Sequence, residues 1–223
     1  MTHTMYHPKL KRCLLSVCFA LSLCLFAQAK ADAASEAHQA LESTVNQVLD
    51  ELKKPEWKNP AGRDAMQAKV ESIILTLFSF EELSMRTVGP NWKNFSPDQK
   101  KRFMDAFEDL LRERYLGALE GYNGEIVTYV KETPVGSAGD KVQIDTTVNI
   151  KNKTVPVSYR MLRGDGRWMV YDIIIEGVGM VQNYRSQFQV VLQKGDPEEL
   201  ITLVRAKAEE TREDNNKKRQ SRS

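Results

Sequence analysis

Apolar side chains along this chain recur first at the spacing of a helix, then of a strand, then of a helix again. Leu41, Val45, Val48, Leu49 and Leu52 fall three or four apart, and Pro55 closes the run. Met66, Val70, Ile73, Ile74, Leu77 and Phe78 repeat that spacing as one apolar stripe, which predicts an amphipathic helix. The next start signal is complete: Ser96 can cap, Pro97 suits the first helical position, and Gln99 closes a capping box. Phe103, Phe107, Leu110, Leu111 and Tyr115 form the apolar face of that helix, and helical character ends near Gly121.

The period then drops to two. Ile126 to Val130 is a β-rich run, and Gly136 to Asp140 reads as a turn. Val142, Ile144, Thr146, Val148 and Ile150 alternate with Gln143, Asp145, Thr147 and Asn149, a half-buried strand. Val155, Val157, Tyr159 and Met161 alternate likewise, with Arg160 and Arg163 set opposite them. Gly164-Asp165-Gly166 predicts a tight hairpin into a last strand, Arg167 to Val178. That strand is apolar on both faces, which predicts a central position. Trp168, Val170, Asp172 and Ile174 share one face. A helix from Val181 to Lys194 buries Tyr184, Phe188, Val191 and Leu192 and stops at Gly195, and Asp196-Pro197-Glu198-Glu199 starts the last one. The expected order is three helices, four antiparallel strands and two helices, an α+β domain rather than a doubly wound sheet.

The ends of the chain change the picture. Cys13, Cys18 and Cys24 all lie in one apolar run, behind Lys9, Lys11 and Arg12 and ahead of Ala27-Gln28-Ala29. That is the pattern of a cleavable secretory signal over residues 1–29, and it is too short to span a bilayer. Its removal takes three of the 32 basic residues and none of the 30 acidic ones, leaving 29 against 30, a net charge of −1. A near-neutral body carries no electrostatic footprint for nucleic acid. Residues 30–208 then form a single domain, and the polar stretch 209–223, without a large apolar residue, is expected to be a disordered tail.

Candidate chemistry is sparse. Beyond the signal the chain has one histidine, His38, and no cysteine, so neither a zinc site nor a metal centre of another kind is expected. No Gly-rich phosphate loop is present, and no cofactor is expected. Asp172, set among apolar neighbours, is the one carboxylate whose burial would raise its pKa; backbone donors or an arginine would satisfy it equally. The apolar inventory says more: twisted strands against amphipathic helices can enclose a cavity instead of a filled core.

From Phe78 onward the ordered motifs resemble the MlaC family, the periplasmic phospholipid-binding or toluene-tolerance proteins. The matching pieces are Phe80-Glu81-Glu82-Leu83-Ser84, Val88-Gly89 with Trp92, the helical set Phe103, Phe107, Leu110, Leu111 and Tyr115, and Tyr122-Asn123-Gly124. Tyr171-Asp172, Glu176-Gly177-Val178 and Asn183-Tyr184-Arg185-Ser186-Gln187-Phe188 complete the set, which spans about Met66 to Arg205. Ser79, Pro90 and Gly179 depart from the family's usual residues. The resemblance implies a nuclear-transport-factor-like fold around an apolar cavity, and a carrier of phospholipid, not an enzyme. The carrier would shuttle lipid between outer and inner membranes and maintain outer-membrane lipid asymmetry. It also implies two protein partners, an inner-membrane ABC transporter complex with a lipid-binding domain and an outer-membrane lipoprotein. A hopanoid-linked sister branch leaves the cargo open.

Strand alternation nominates Val142, Ile144, Val148, Val157, Tyr159, Met161, Trp168, Val170 and Ile174 as lipid-facing positions, with Phe107, Leu111 and Tyr115 facing them from the helix. Arg160 and Arg163 are candidates to meet a phosphate or a partner. Two rivals stand beside the carrier. One is a cavity enzyme of the isomerase or dehydratase type, using Asp172 or Asp145 with Tyr159; the other is a periplasmic adaptor that binds no lipid.

Overall fold

The structure, a computed structural model, describes residues 32–115, 122, 124–150, 153–193 and 196–221. The signal segment, the helix end near Gly121 and the stop at Gly195 lie outside the described residues. Helix α1 occupies residues 32–52, and a 3-10 turn over Pro55–Lys58 leads into α2, Pro60–Leu77. α3 is Phe80–Val88 and α4 is Pro97–Tyr115, joined by a second 3-10 segment, Gly89–Asn94. The strands β1 (Ile126–Pro134), β2 (Lys141–Ile150), β3 (Lys153–Gly164), β4 (Arg167–Ile175) and β5 (Val178–Gly179) pair antiparallel in sequence order. α5 (Met180–Leu192) and α6 (Pro197–Gln220) complete the chain.

The α+β class stands, with one helix and one strand beyond those expected. α3 has nine residues, too few to write a helical stripe into the sequence, yet Ser79 caps it and Glu81 and Glu82 favour its positive end. β5 has two residues, reached through a turn that holds Glu176 and Gly177 at φ 49° and 83°. The local signals otherwise fold as they read. The Ser96 N–H donates to Gln99 Oε1 at 2.9 Å and the Gln99 N–H to Ser96 Oγ at 3.2 Å, a reciprocal capping box. Asp165 and Gly166 both take positive φ in the two-residue turn between β3 and β4, as a primed hairpin requires.

Two β-bulges re-aim side chains. In β1 the register steps from Tyr129↔Thr146 to Lys131↔Asp145, so Val130 is extra. In β4 it steps from Arg160↔Asp172 to Met161↔Val170, so Tyr171 is extra. The second bulge corrects simple alternation. Ile173, paired with Tyr159, joins Val170 and Trp168 on the inner face, while Asp172 and Ile174 turn to the outer face with Arg160. Arg163 is corrected the other way. It shares parity with Met161, stacks 5.9 Å from the Trp168 ring and pairs with Glu36 of α1.

The apolar interior is divided. The largest cluster joins α3, α4, α5 and α6 around Phe103, Phe107, Tyr184 and Phe188; Phe107 meets Tyr184 edge-on at 4.9 Å and Phe188 edge-on at 5.4 Å. A second lies between α1 and the inner sheet face, where Ala33, Ala37 and Leu41 cover Val142, Ile144, Met161, Trp168 and Val170. Phe78 and Ile173 pack against both. β4 is central, as its two apolar faces predict: β3 flanks it on one edge, and β5 and a bridge from Phe78 flank it on the other.

Residues 209–220 do not form the disordered tail that composition suggests; they continue α6. Polar anchors replace apolar ones there. Arg212 Nε donates to Glu113 at 3.0 Å, Asn215 Nδ2 to the Glu113 carbonyl at 2.8 Å, and Arg219 reaches Gln67 of α2 at 2.8 Å.

Phe107 is fully buried at the centre of the aromatic cluster. Phe107→Ala is therefore expected to cost about 3–5 kcal/mol in urea-induced unfolding. A loss below ~1 kcal/mol would show that the ring packing is not what holds the helices together.

Candidate functional site

The inner face of the sheet changes character along its length. Toward the β3–β4 turn it is sealed by α1, through Ala33, Ala37 and Leu41 and through polar ties. Trp168 Nε1 donates to Glu36 at 3.2 Å, and His38 Nδ1 lies 2.5 Å from Glu132 Oε1 of β1 with its ring 4.6 Å from Tyr129. Tyr159 packs against this cluster, and burial pushes its hydroxyl up to about 12. The Tyr129 hydroxyl is buried with no hydrogen-bond partner among the described residues, and its pKa is raised by the same desolvation.

Toward the opposite end α1 leaves the sheet. Its last turns close with Trp57, Val70, Met66 and Ile74 into a cluster that contains no strand residue. The inner face there stays apolar without that cover. Val127, Val148 and Val155 pair in one row across three strands, and all are half-buried. Ile150 is 40% exposed, and Ile175, paired with buried Val157, is 38% exposed. An apolar strip that no described helix covers, continuous with a buried one, is a surface suited to a long apolar ligand.

The nominated residues divide across these regions. Val142, Ile144, Met161, Trp168 and Val170 are buried beneath α1, with Tyr159 beside them; Val157 and Val148 lead out to the strip. Ile174 does not belong with them, because the bulge turns it outward. Phe107, Leu111 and Tyr115 do not face the sheet either: they sit in the helical cluster against α5 and α6. An apolar helix face does not say which partner it meets. Ala33, Ala37, Val127, Ile150 and Ile175 were missed; the four-residue spacing of Ala33, Ala37 and Leu41 was the available signal for the first two.

The residues of the enzyme reading are separated. Tyr159 faces inward, whereas Asp145 and Asp172 lie on the outer face. Asp172 is 3% exposed, accepts the Val181 N–H of α5 at 2.9 Å, and pairs with Arg160 Nη1 at 3.3 Å. Asp145 accepts from Gln143 at 2.9 Å. These contacts make Asp172 a fastening between β4, β3 and α5. Among the described residues no cluster of three His, Cys, Asp or Glu side chains could hold a metal, and no helix is long and apolar enough to cross a membrane.

Three comparisons bear on this geometry. The sequence model of the family described as MlaC protein matches residues 42–206. The chain is 22% identical over 174 residues to the intermembrane phospholipid transport system binding protein MlaC of Haemophilus influenzae, covering 75% of this chain and 80% of that protein. It is 23% identical over 164 residues to toluene tolerance protein ttg2D of Pseudomonas putida, covering 73% and 75%. Among solved structures, a phospholipid-binding protein from Ralstonia solanacearum in complex with a phospholipid superimposes with a TM-score of 0.65 at 25% identity, over 76% of this chain and 97% of that one.

Burial raises the pKa of Asp172, against the opposing pull of the Val181 N–H and Arg160. A folded value above the unfolded one contributes stability at low pH that is lost as pH rises through the folded value. The stability of the wild type relative to Asp172→Asn should therefore fall as pH climbs from the ordinary carboxylate range, read by urea unfolding across a pH series. A difference that grows with pH would contradict this environment for Asp172.

Proposed function

The chain belongs to the MlaC family, and we propose that it is a periplasmic carrier that holds phospholipid by its acyl chains on the inner face of the sheet and shuttles it between the outer and inner membranes. The observation that carries this reading is the apolar strip of Val127, Val148, Val155, Ile150 and Ile175, left without helical cover among the described residues at the open end of the sheet. Each acyl methylene removed from water is worth about 0.8 kcal/mol, so a long apolar strip supplies affinity without any polar anchor. The buried row beneath α1, from Val157 toward Val142, Ile144 and Met161, extends the strip inward when α1 yields.

The relatives support the ligand class. One is named for intermembrane phospholipid transport, and the Ralstonia solanacearum protein was solved with a phospholipid. A carrier of this kind performs no covalent chemistry, consistent with a structure that keeps Asp172 apart from Tyr159. Exchange with an inner-membrane ABC transporter complex that carries a lipid-binding domain, and with an outer-membrane lipoprotein, completes the shuttle and maintains outer-membrane lipid asymmetry.

Native mass spectrometry of the mature protein tests the reading. The wild type should carry adducts of phospholipid mass. Val148→Glu, a charge placed on a half-buried strip position, should cut lipid occupancy at least about tenfold while leaving thermal unfolding close to wild type. Undiminished lipid on that variant would move the binding surface elsewhere, and a wild type free of lipid would sink the carrier reading.

A further inference from the structure

The outer face of the sheet carries a second feature that acyl-chain binding does not use. A cleft of ≈ 630 Å³ opens between β4, β5, α3 and α5, and three arginines line it, Arg86, Arg160 and Arg185. Two of the guanidiniums are held by hydrogen bonds, and the third lies close against a loop. Arg86 donates through Nε and Nη2 to Glu82 Oε2 at 2.9 and 2.6 Å and lies 4.2 Å over the Tyr171 ring. Arg160 donates to Gln143 at 3.2 Å and to Asp172 at 3.3 Å. Arg185 lies against the backbone of Gly89, where an added Cβ would come within 2.5 Å of its Nη2; at φ +65° this position favours glycine twice over.

Guanidinium has five N–H donors, and these contacts leave several unused on every one of the three. Glu82 and Asp172 offset two of the three charges, and Arg185 has no ion pair among the described residues, so one positive charge is in surplus. Fixed, partly unsatisfied guanidiniums recognise a tetrahedral oxyanion at little ordering cost. A monoanionic group balances the surplus, and a phosphodiester is such a group.

Beside the cleft stands an apolar tip. The turn from β4 to β5 presents Ile175 and Val178, the latter 63% exposed, and its glycine, Gly177, also lines the cleft. Ile175 is at the same time the last residue of the inner strip. Apolar side chains flanking a cationic recess are the combination by which proteins lie on a phospholipid surface.

We propose that the β4–β5 tip and the arginine cleft dock this protein on a bilayer, with Val178 entering the interface and the phosphodiester of a bilayer lipid seated among Arg86, Arg160 and Arg185. This rests on the carrier reading in one respect: docking here sets the mouth of the acyl strip, at Ile175, against the membrane that supplies or receives the lipid. The headgroup site and the acyl strip are on opposite faces of the sheet, so they can be broken separately.

Flotation of the mature protein with mixed phosphatidylethanolamine–phosphatidylglycerol vesicles tests the proposal. The wild type should float at low salt and be released by salt, and Arg185→Gln and Val178→Asp should each float about fivefold less. Melting temperature should match the wild type in both variants, and lipid occupancy by native mass spectrometry should match it in Arg185→Gln, whose side chain lies in the cleft and not on the strip. A wild type that ignores the vesicles, or variants that float as well as it does, would overturn the docking surface. A response of the Arg185 Nε signal to inorganic phosphate without flotation would assign a free anion and overturn it equally. Protein purified without lipid but floating normally would count against the carrier reading and not against the docking surface.

Discussion

One extra residue in β4 decides what each face of the sheet can do. Strand side chains alternate strictly, so without the bulge at Tyr171 the row Trp168, Val170, Asp172, Ile174 would drive a carboxylate into the apolar inner face. With it, Ile173 takes the inner position and bridges the sheet cluster to the helical one, while Asp172 turns outward to the first turn of α5 and to Arg160. The inner face stays apolar from Trp168 to Ile175, and the outer face gains the fastening that seats α5. Both the apolar strip and the arginine cleft depend on that single change of parity.

The division of the interior follows from the same arrangement. α3 to α6 pack around interlocking aromatic rings; from the strands Ile173 joins that apolar cluster, and Asp172 fastens α5. α1 touches the sheet through small side chains, Ala33, Ala37 and Leu41 with Ala34, Ala40 and Val45 beside them, a thinner contact assisted by His38, Glu132, Glu36 and Trp168. No cysteine lies among the described residues, so no disulfide among them ties these layers together. A carrier gains from the asymmetry: a rigid helical base keeps the fold, and a weakly held cover is the part that lipid can displace.

Local chemistry was legible in the sequence. The Ser96–Gln99 box, the Gly164-Asp165-Gly166 turn and the alternation of Val142, Ile144 and Thr146 each fold as their residues require. The family was legible too, because its ordered motifs survive at low identity. Features that depend on counting across strands were not. A bulge leaves the apolar pattern of β4 looking regular, since Ile173 and Ile174 are both large and apolar, so Ile174 was assigned to the wrong face. Phe107, Leu111 and Tyr115 show an apolar stripe that does not specify whether sheet or helix covers it. The end of α6 buries little apolar surface, and its helix is held by ion pairs and amide contacts to Glu113 and Gln67, partners about a hundred or more residues away in the chain.

The central claim is that acyl chains lie on the inner face of the sheet and nowhere else. Intermolecular nuclear Overhauser contacts between a bound phospholipid and isoleucine and valine methyls measure it most directly. Acyl methylene protons should contact Val148, Val155, Ile150 and Ile175 and give none to Ile174, one pleat away on the outer face. Contacts at Ile174 with silence at Val148 and Val155 would contradict the account.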